Sequence, residues 1–162
     1  MKFEIDSVNI TAEDIKKVLT EMSLRHQDDA QEGVVNFGLR TEHGTFRVRI
    51  IANKFRVGLF AFLDCYLDRE KHGRLLWKML ETGRNAIAAF ALDSDGEVLV
   101  LRHLEYPTGF APEHFGCALA AFLQEAHASL FILRKGLCAG EDITDEELVQ
   151  ILKKRPGGGG EA

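Results

Sequence analysis

The sequence predicts an α+β fold in which helices cover one face of a single antiparallel sheet, in the order α-β-β-β-α-β-β-α. Three observations carry this. Apolar and polar residues alternate through 34–41 and 45–52, the period-two signature of strands with one wet face. Apolar residues recur instead at three- and four-residue steps over Ile15, Val18, Leu19 and Met22, and again over Phe115, Leu119, Phe122, Leu123, Ala126 and Leu130, as in helices that bury one stripe. Residues 86–92 and 98–101 are almost wholly apolar and are joined by Asp93-Ser94-Asp95-Gly96. Such a pattern reads as a β-hairpin whose Gly supplies the left-handed return. Runs this apolar have no wet face, which places the hairpin inside the fold with helices over at least one side.

Composition bounds the possibilities. A chain of 162 residues suits one domain that buries roughly 70% of its unfolded surface. The net charge of −5 and pI near 5.7 argue against a general binder of nucleic acid or of anionic membrane. No apolar run approaches the ~20 residues that span a bilayer, and Met1-Lys2-Phe3-Glu4-Ile5-Asp6 has no signal-peptide core. Cys65, Cys117 and Cys138 are odd in number and widely spaced, as expected of reduced cysteines in a cytoplasmic protein.

Taken in order, Thr11 is a good N-cap for a helix over 12–25, with Glu13 and Asp14 in its first turn and Ile10 and Ile15 placed for a hydrophobic staple. Residues 28–33 read as a loop. The strand over 34–41 turns at Glu42-His43-Gly44 into 45–52, where Phe46, Val48 and Ile50 share one face and Arg47 and Arg49 the other. Asn53-Lys54 is the next turn, with Asn the residue that tolerates positive φ. The third strand, 55–66, carries Val57, Leu59, Ala61 and Leu63 on one face. Its other face passes from Arg56 and Gly58 to Phe60 and Phe62.

A second helix is predicted over 67–83. Leu75, Leu76, Met79 and Leu80 form its buried stripe, Trp77 is set to one side, and Gly83 caps its end. Pro112 suits the first turn of the closing helix, and Arg134, Lys135 and Gly136 suit its end at 134. A short helix from Asp145 to about Lys154 is capped by Thr144 and stopped by Pro156. The expected organisation is a domain over 1–136, a helical extension over 137–155, and a flexible Gly-rich tail over 156–162.

This order, in an acidic chain of this size, resembles the type III secretion chaperone-like fold and, within it, the YbjN-like bacterial proteins. The residues that carry the resemblance are Leu75-Leu76-Trp77-Lys78-Met79-Leu80, followed by Ala89-Phe90-Ala91-Leu92-Asp93-Ser94-Asp95-Gly96-Glu97-Val98, with the helix from Phe115 to Leu133 matching the closing helix. The resemblance implies a small, dimeric, non-enzymatic protein that binds another polypeptide, or a regulator of unknown ligand.

No catalytic signature accompanies these patterns. Asp93 and Asp95 suggest calcium, but Gly96 falls at the fourth position of the loop where an EF-hand needs it at the sixth, so turn chemistry accounts for them. His114 and Cys117 lie one helical turn apart, which is too few ligands for zinc, and His26, His43, His72, His103 and His127 show no ligand spacing. No metal and no cofactor is expected. Arg40, Arg47, Arg49 and Arg56 gather on one face of the meander, either as a solvated face paired with nearby carboxylates or as a patch for an anion or acidic peptide.

Phe60 and Phe62 fall on the arginines' face, where the short helix after Thr144 is the one spare element to cover them. Two aromatics form a larger apolar patch than monomers usually leave wet. A second copy of the chain or a partner segment is therefore expected there, with Trp77 as a neighbour. The function that follows is a cytoplasmic, non-enzymatic, chaperone- or adaptor-like binding module acting as a homodimer. The alternative is a regulatory protein that binds a small anion on the Arg-rich face.

Overall fold

The computed structural model describes residues 9–68, 70–83 and 88–139. Over these the elements run α1 (Ala12–Glu21), β1 (Gln27–Asp28), β2 (Val34–Thr41), β3 (Gly44–Asn53), β4 (Arg56–Tyr66), α2 (Gly73–Gly83), β5 (Ala89–Leu92), β6 (Glu97–Glu105) and α3 (Pro112–Ala139). The strands form one antiparallel sheet in the order β1-β2-β3-β4-β6-β5. The α+β fold with helices against one antiparallel sheet is therefore present as expected. The helix over 145–154, the tail over 156–162 and residues 86–87 of the hairpin lie outside the described residues.

Alternation along the strands gives the sheet its covered face. Val35 and Phe37 of β2 align with Phe46, Val48 and Ile50 of β3, then with Leu59 and Ala61 of β4 and Val100 of β6. All of these are buried. Onto them α1 sets Ile15, Val18 and Leu19, while α3 sets Phe115, Leu119, Phe122, Ala126, Leu130 and Leu133. The start of α1 is held by a capping box: the Asp14 N–H donates to Thr11 Oγ1 (3.3 Å) and the Thr11 N–H donates to Asp14 Oδ2 (2.9 Å). The Thr11 N–H first, and then the Thr11 hydroxyl (2.7 Å), donate to the Asp14 carboxylate and hold it below its ordinary range. The helices cross where Gly116 lets α3 approach Val18.

Several boundaries differ from expectation, each for a local reason. Helix α1 stops at Glu21, because Ser23 takes a left-handed φ of 59° and the Leu24 N–H closes back onto the Leu19 carbonyl (2.8 Å). The chain then reverses into β1, whose two residues pair with Asn36 and Val35 of β2 and are too few to carry a period. In the second turn Lys54, not Asn53, adopts the positive φ, at 51°. Helix α2 starts at Gly73 rather than 67. The Asp68 carboxylate accepts from the N–H groups of Glu70 (2.8 Å) and Lys71 (3.3 Å), a local turn that competes with the helix.

The stripe of α2 is also narrower than expected. Leu75 and Met79 are buried, but Leu80 is 59% exposed, because the helix meets the rest of the fold along one seam. The hairpin is not wholly interior, since β6 lies between β4 and β5 while β5 forms the edge, with Ala89 exposed. Helix α3 runs through Gly136 to Ala139, past the expected end at 134. Gly136 is there for close packing: a Cβ on it would stand 2.9 Å from Leu75 Cδ1. Pro112–Leu137 is long and apolar enough by composition to cross a bilayer, against the reading of short apolar runs. Half of its most apolar stretch is buried in this fold, so the core accounts for that apolarity.

Glu97, at the start of β6, is a buried carboxylate with every neighbour arranged for it. It accepts from Arg47 Nη2 at 3.1 and 3.3 Å and from the Asp64 N–H at 3.0 Å. Asp64 is the left-handed residue (φ 51°) inside the irregularity between Phe62 and Tyr66 of β4, so Glu97 also fixes a bulge. The preceding loop turns as expected: Gly96 has φ 84°, and Asp93 Oδ1 accepts from the N–H groups of Asp95 and Glu97, both at 2.9 Å. Glu97→Ala should lower stability by about 1–3 kcal/mol, the cost of leaving its donors unmatched. Glu105→Ala, which breaks the exposed pair with Arg56, should change it by less than about 1 kcal/mol. Urea unfolding of both variants measures the difference.

Candidate functional site

The face opposite the helices divides into two halves, and the register shows why. One row across the sheet reads Gly38, Arg47, Phe62, Leu99, Ala91, and the next reads Asn36, Arg49, Phe60, Leu101, Ala89. Strands β2 and β3 supply the polar half, while β4, β6 and β5 supply the apolar half. Phe60 and Phe62 thus share the arginines' face, as their alternation predicts. Leu101 and the two alanines join them, which sequence reasoning missed because the pairing of β6 with β4 was not assigned.

Each aromatic has one polar neighbour. The Arg47 guanidinium lies 5.2 Å from the Phe62 ring centroid, and Phe60 meets His103 edge-on at 5.8 Å. Phe60 also lies across Gly58, where a Cβ would stand 2.7 Å from the ring. Both phenylalanines stay partly exposed. Trp77, on the outer side of α2, is 64% exposed and makes no ring contact with either of them.

Three of the four arginines meet carboxylates of the protein itself. Arg47 pairs with Glu97 (3.1 Å), Arg49 with Asp29 (3.0 Å) and Arg56 with Glu105 (3.1 Å). Hydrogen bonds from the Gln31 N–H and the Asn36 side chain, with Arg49 adding its charge, hold the Asp29 carboxyl below the ordinary carboxylate range. Arg40 is exposed on the same face, with no ion-pair partner among the described residues. An open groove of about 1220 Å³ runs over this half, lined by Arg25, His26, Asn36, Arg47, Arg49 and Phe62 among others. Arg47 and Arg49 already meet internal carboxylates there, while Arg49 Nε is buried without a hydrogen-bond partner.

The remaining candidates are engaged structurally. His114 Nδ1 lies 3.3 Å from the Tyr106 hydroxyl, and its ring packs edge-on to Tyr106, whose hydroxyl is pushed up from its ordinary pKa by burial. Cys117 is exposed, one turn further along α3. Cys65 is buried, and desolvation pushes its thiol above the ordinary range. The side chain of Cys138 lies outside the described residues. Iodoacetamide at neutral pH should therefore alkylate Cys117 at least about tenfold faster than Cys65. Peptide mapping over a time course checks this, and equal rates would mean that the core opens readily.

No protein-family model and no curated protein matches the chain. Solved structures do match. A chain of the HopA1–SchA chaperone–effector complex superposes with a TM-score of 0.50 at 16% identity, over 74% of this chain and 88% of that one. A chain of the ExsC–ExsE complex gives 0.52 at 16% identity, over 78% and 97%. An uncharacterized protein from Methanothermobacter thermautotrophicus gives 0.55 at 15% identity, over 78% and 97%. This chain has their fold. At such identities the likeness is one of architecture. It agrees with the secretion chaperone-like fold expected from the sequence and does not show membership of the YbjN-like family.

Proposed function

We propose that this protein is a non-enzymatic binding module of the cytoplasm, chaperone- or adaptor-like, that works as a homodimer and offers an apolar sheet face to another polypeptide. The observation that carries the reading is the row structure of the uncovered face, where Phe60, Phe62 and Leu101 sit beside Ala89 and Ala91 with no helix of the described residues over them. Their partial exposure beside the short edge strand β5 fits contact with a polypeptide better than contact with bulk water. Two of the structures that share the fold are complexes, one of them of a chaperone with its effector. The second copy is assigned to the phenylalanine rows, with Trp77 on α2 as its expected neighbour.

The test is the double variant Phe60→Asp, Phe62→Asp, followed by light scattering and far-UV circular dichroism. A dimeric parent and a folded monomeric variant are the expected results. If the parent is already a monomer, or the variant stays dimeric, the assignment of the face is wrong. If Trp77 borders the interface, its emission should shift to the red when the variant dissociates, because an indole leaving an apolar contact is newly solvated.

A further inference from the structure

Glu42 and His43 at the β2–β3 turn stand beside His127 of α3, and their ligand-capable atoms all lie within 4.8 Å of one another. The sequence separates the two histidines by most of the fold, so spacing alone gave no reason to pair them. From this juxtaposition we infer that the turn and the helix form a site for a divalent transition-metal ion of the zinc type, held by two imidazoles and one carboxylate.

The local structure is built for it. The turn is fixed before any ligand arrives: Thr41 Oγ1 accepts the His43 N–H (3.2 Å) and donates to the Gly44 carbonyl (2.9 Å), and Gly44 takes a φ of 136°. His43 is gripped between two rings, stacked on His127 with centroids 5.3 Å apart and tilted on Phe131 at 4.6 Å. His43 Nε2 is 3.3 Å from Glu42 Oε1, close to the ~3.3 Å edge of a tetrahedron built on zinc–ligand bonds of about 2.0–2.1 Å.

A second, independent observation points to a ligand. His127 Nε2 is buried and has no hydrogen-bond partner. A buried polar atom left unmatched is costly and calls for a water or an ion beside it. A metal ion supplies that partner as a Lewis acid, which nothing else on this part of α3 does. Two cations border the site and are engaged by other groups: the Arg134 guanidinium lies against Gly44 and donates to the Asp64 carbonyl at 3.5 Å, and Lys135 lies 5.8 Å from the Phe131 ring centroid.

The donor set itself selects the ion. Imidazole nitrogens suit zinc, copper, nickel and iron rather than calcium or magnesium, and two imidazoles with one carboxylate leave a fourth position for water. Glu42 is largely exposed and His43 mostly covered, so the free position opens outward. Glu42 and His43 are already at ligand spacing, so the remaining approach, within the 4.8 Å span of the three groups, is toward His127. Bound there, the ion would staple the tip of the meander to the core helix.

The experiment uses the purified full chain, stripped with chelator, and titrates Zn²⁺ by calorimetry and by thermal melting. One equivalent should bind, and Tm should rise by roughly 5–11 °C at zinc about a hundredfold above Kd. Loss of an outer-shell partner already costs about 10–100-fold in metal affinity, so His43→Ala and His127→Ala should each cost at least that. Glu42→Gln, an exposed change that leaves the core untouched, should also weaken binding, which keeps the test decisive if a histidine variant fails to fold. His103→Ala, away from the site, should bind as the parent does. A parent that takes up no zinc, or a Glu42→Gln variant that binds it as tightly as the parent, would overturn the assignment.

Discussion

The packing of α3 along the covered face is the contact on which the rest of the structure rests. Seven of its apolar side chains, from Phe115 to Leu133, are buried in the core with the residues that the strands turn inward. Burial of this kind is worth about 1.5–3 kcal/mol for each large side chain, far more than any surface ion pair in the molecule contributes. With α3 in place, α1 fills the remaining width over β2 and β3, and one face of the sheet is complete. The other face is left to whatever the strands present by themselves. That asymmetry, rather than any cleft, is what the proposed binding role rests on.

Glu97 shows how the polar groups adapt to this plan. A carboxylate buried at the mouth of a hairpin would be expensive alone, yet it meets a guanidinium from β3 and a backbone N–H from β4 in one place. The same residue therefore ties three strands together and sets the bulge that redirects the end of β4. Arg49 and Arg56 are likewise met by carboxylates. The basic character that the meander shows in sequence is thus largely neutralised within the chain, in keeping with its acidic balance overall.

What the sequence made legible was whatever repeats. The strand alternation placed Phe60 and Phe62 on the arginines' face because a period of two leaves no choice. The Thr11 cap and the Gly96 turn were legible because each needs a particular residue at a particular step. What escaped were features decided by distant partners. Gly136 looks like a helix end in one dimension and is a contact point for Leu75 in three. Leu80 obeys the helical period but stays 59% exposed among the described residues. The company kept by His43 depends on where α3 comes to rest, and no spacing encodes that.

The position of β6 has a kinetic consequence. Strands β1 to β4 join by short turns, so each pairing closes only a small loop of chain. The β4–β6 pairing is different, since Phe62 meets Leu99 only after α2 and β5 have intervened. Closing a longer loop costs more entropy before any contact rewards it, and folding slows as such pairings accumulate. The meander is thus the natural nucleus, with the hairpin and α2 docking onto its exposed β4 edge in a later step. Until they dock, β4 presents an unpaired strand carrying Phe60 and Phe62, which makes the half-folded chain the species most exposed to pairing with a strand of another molecule.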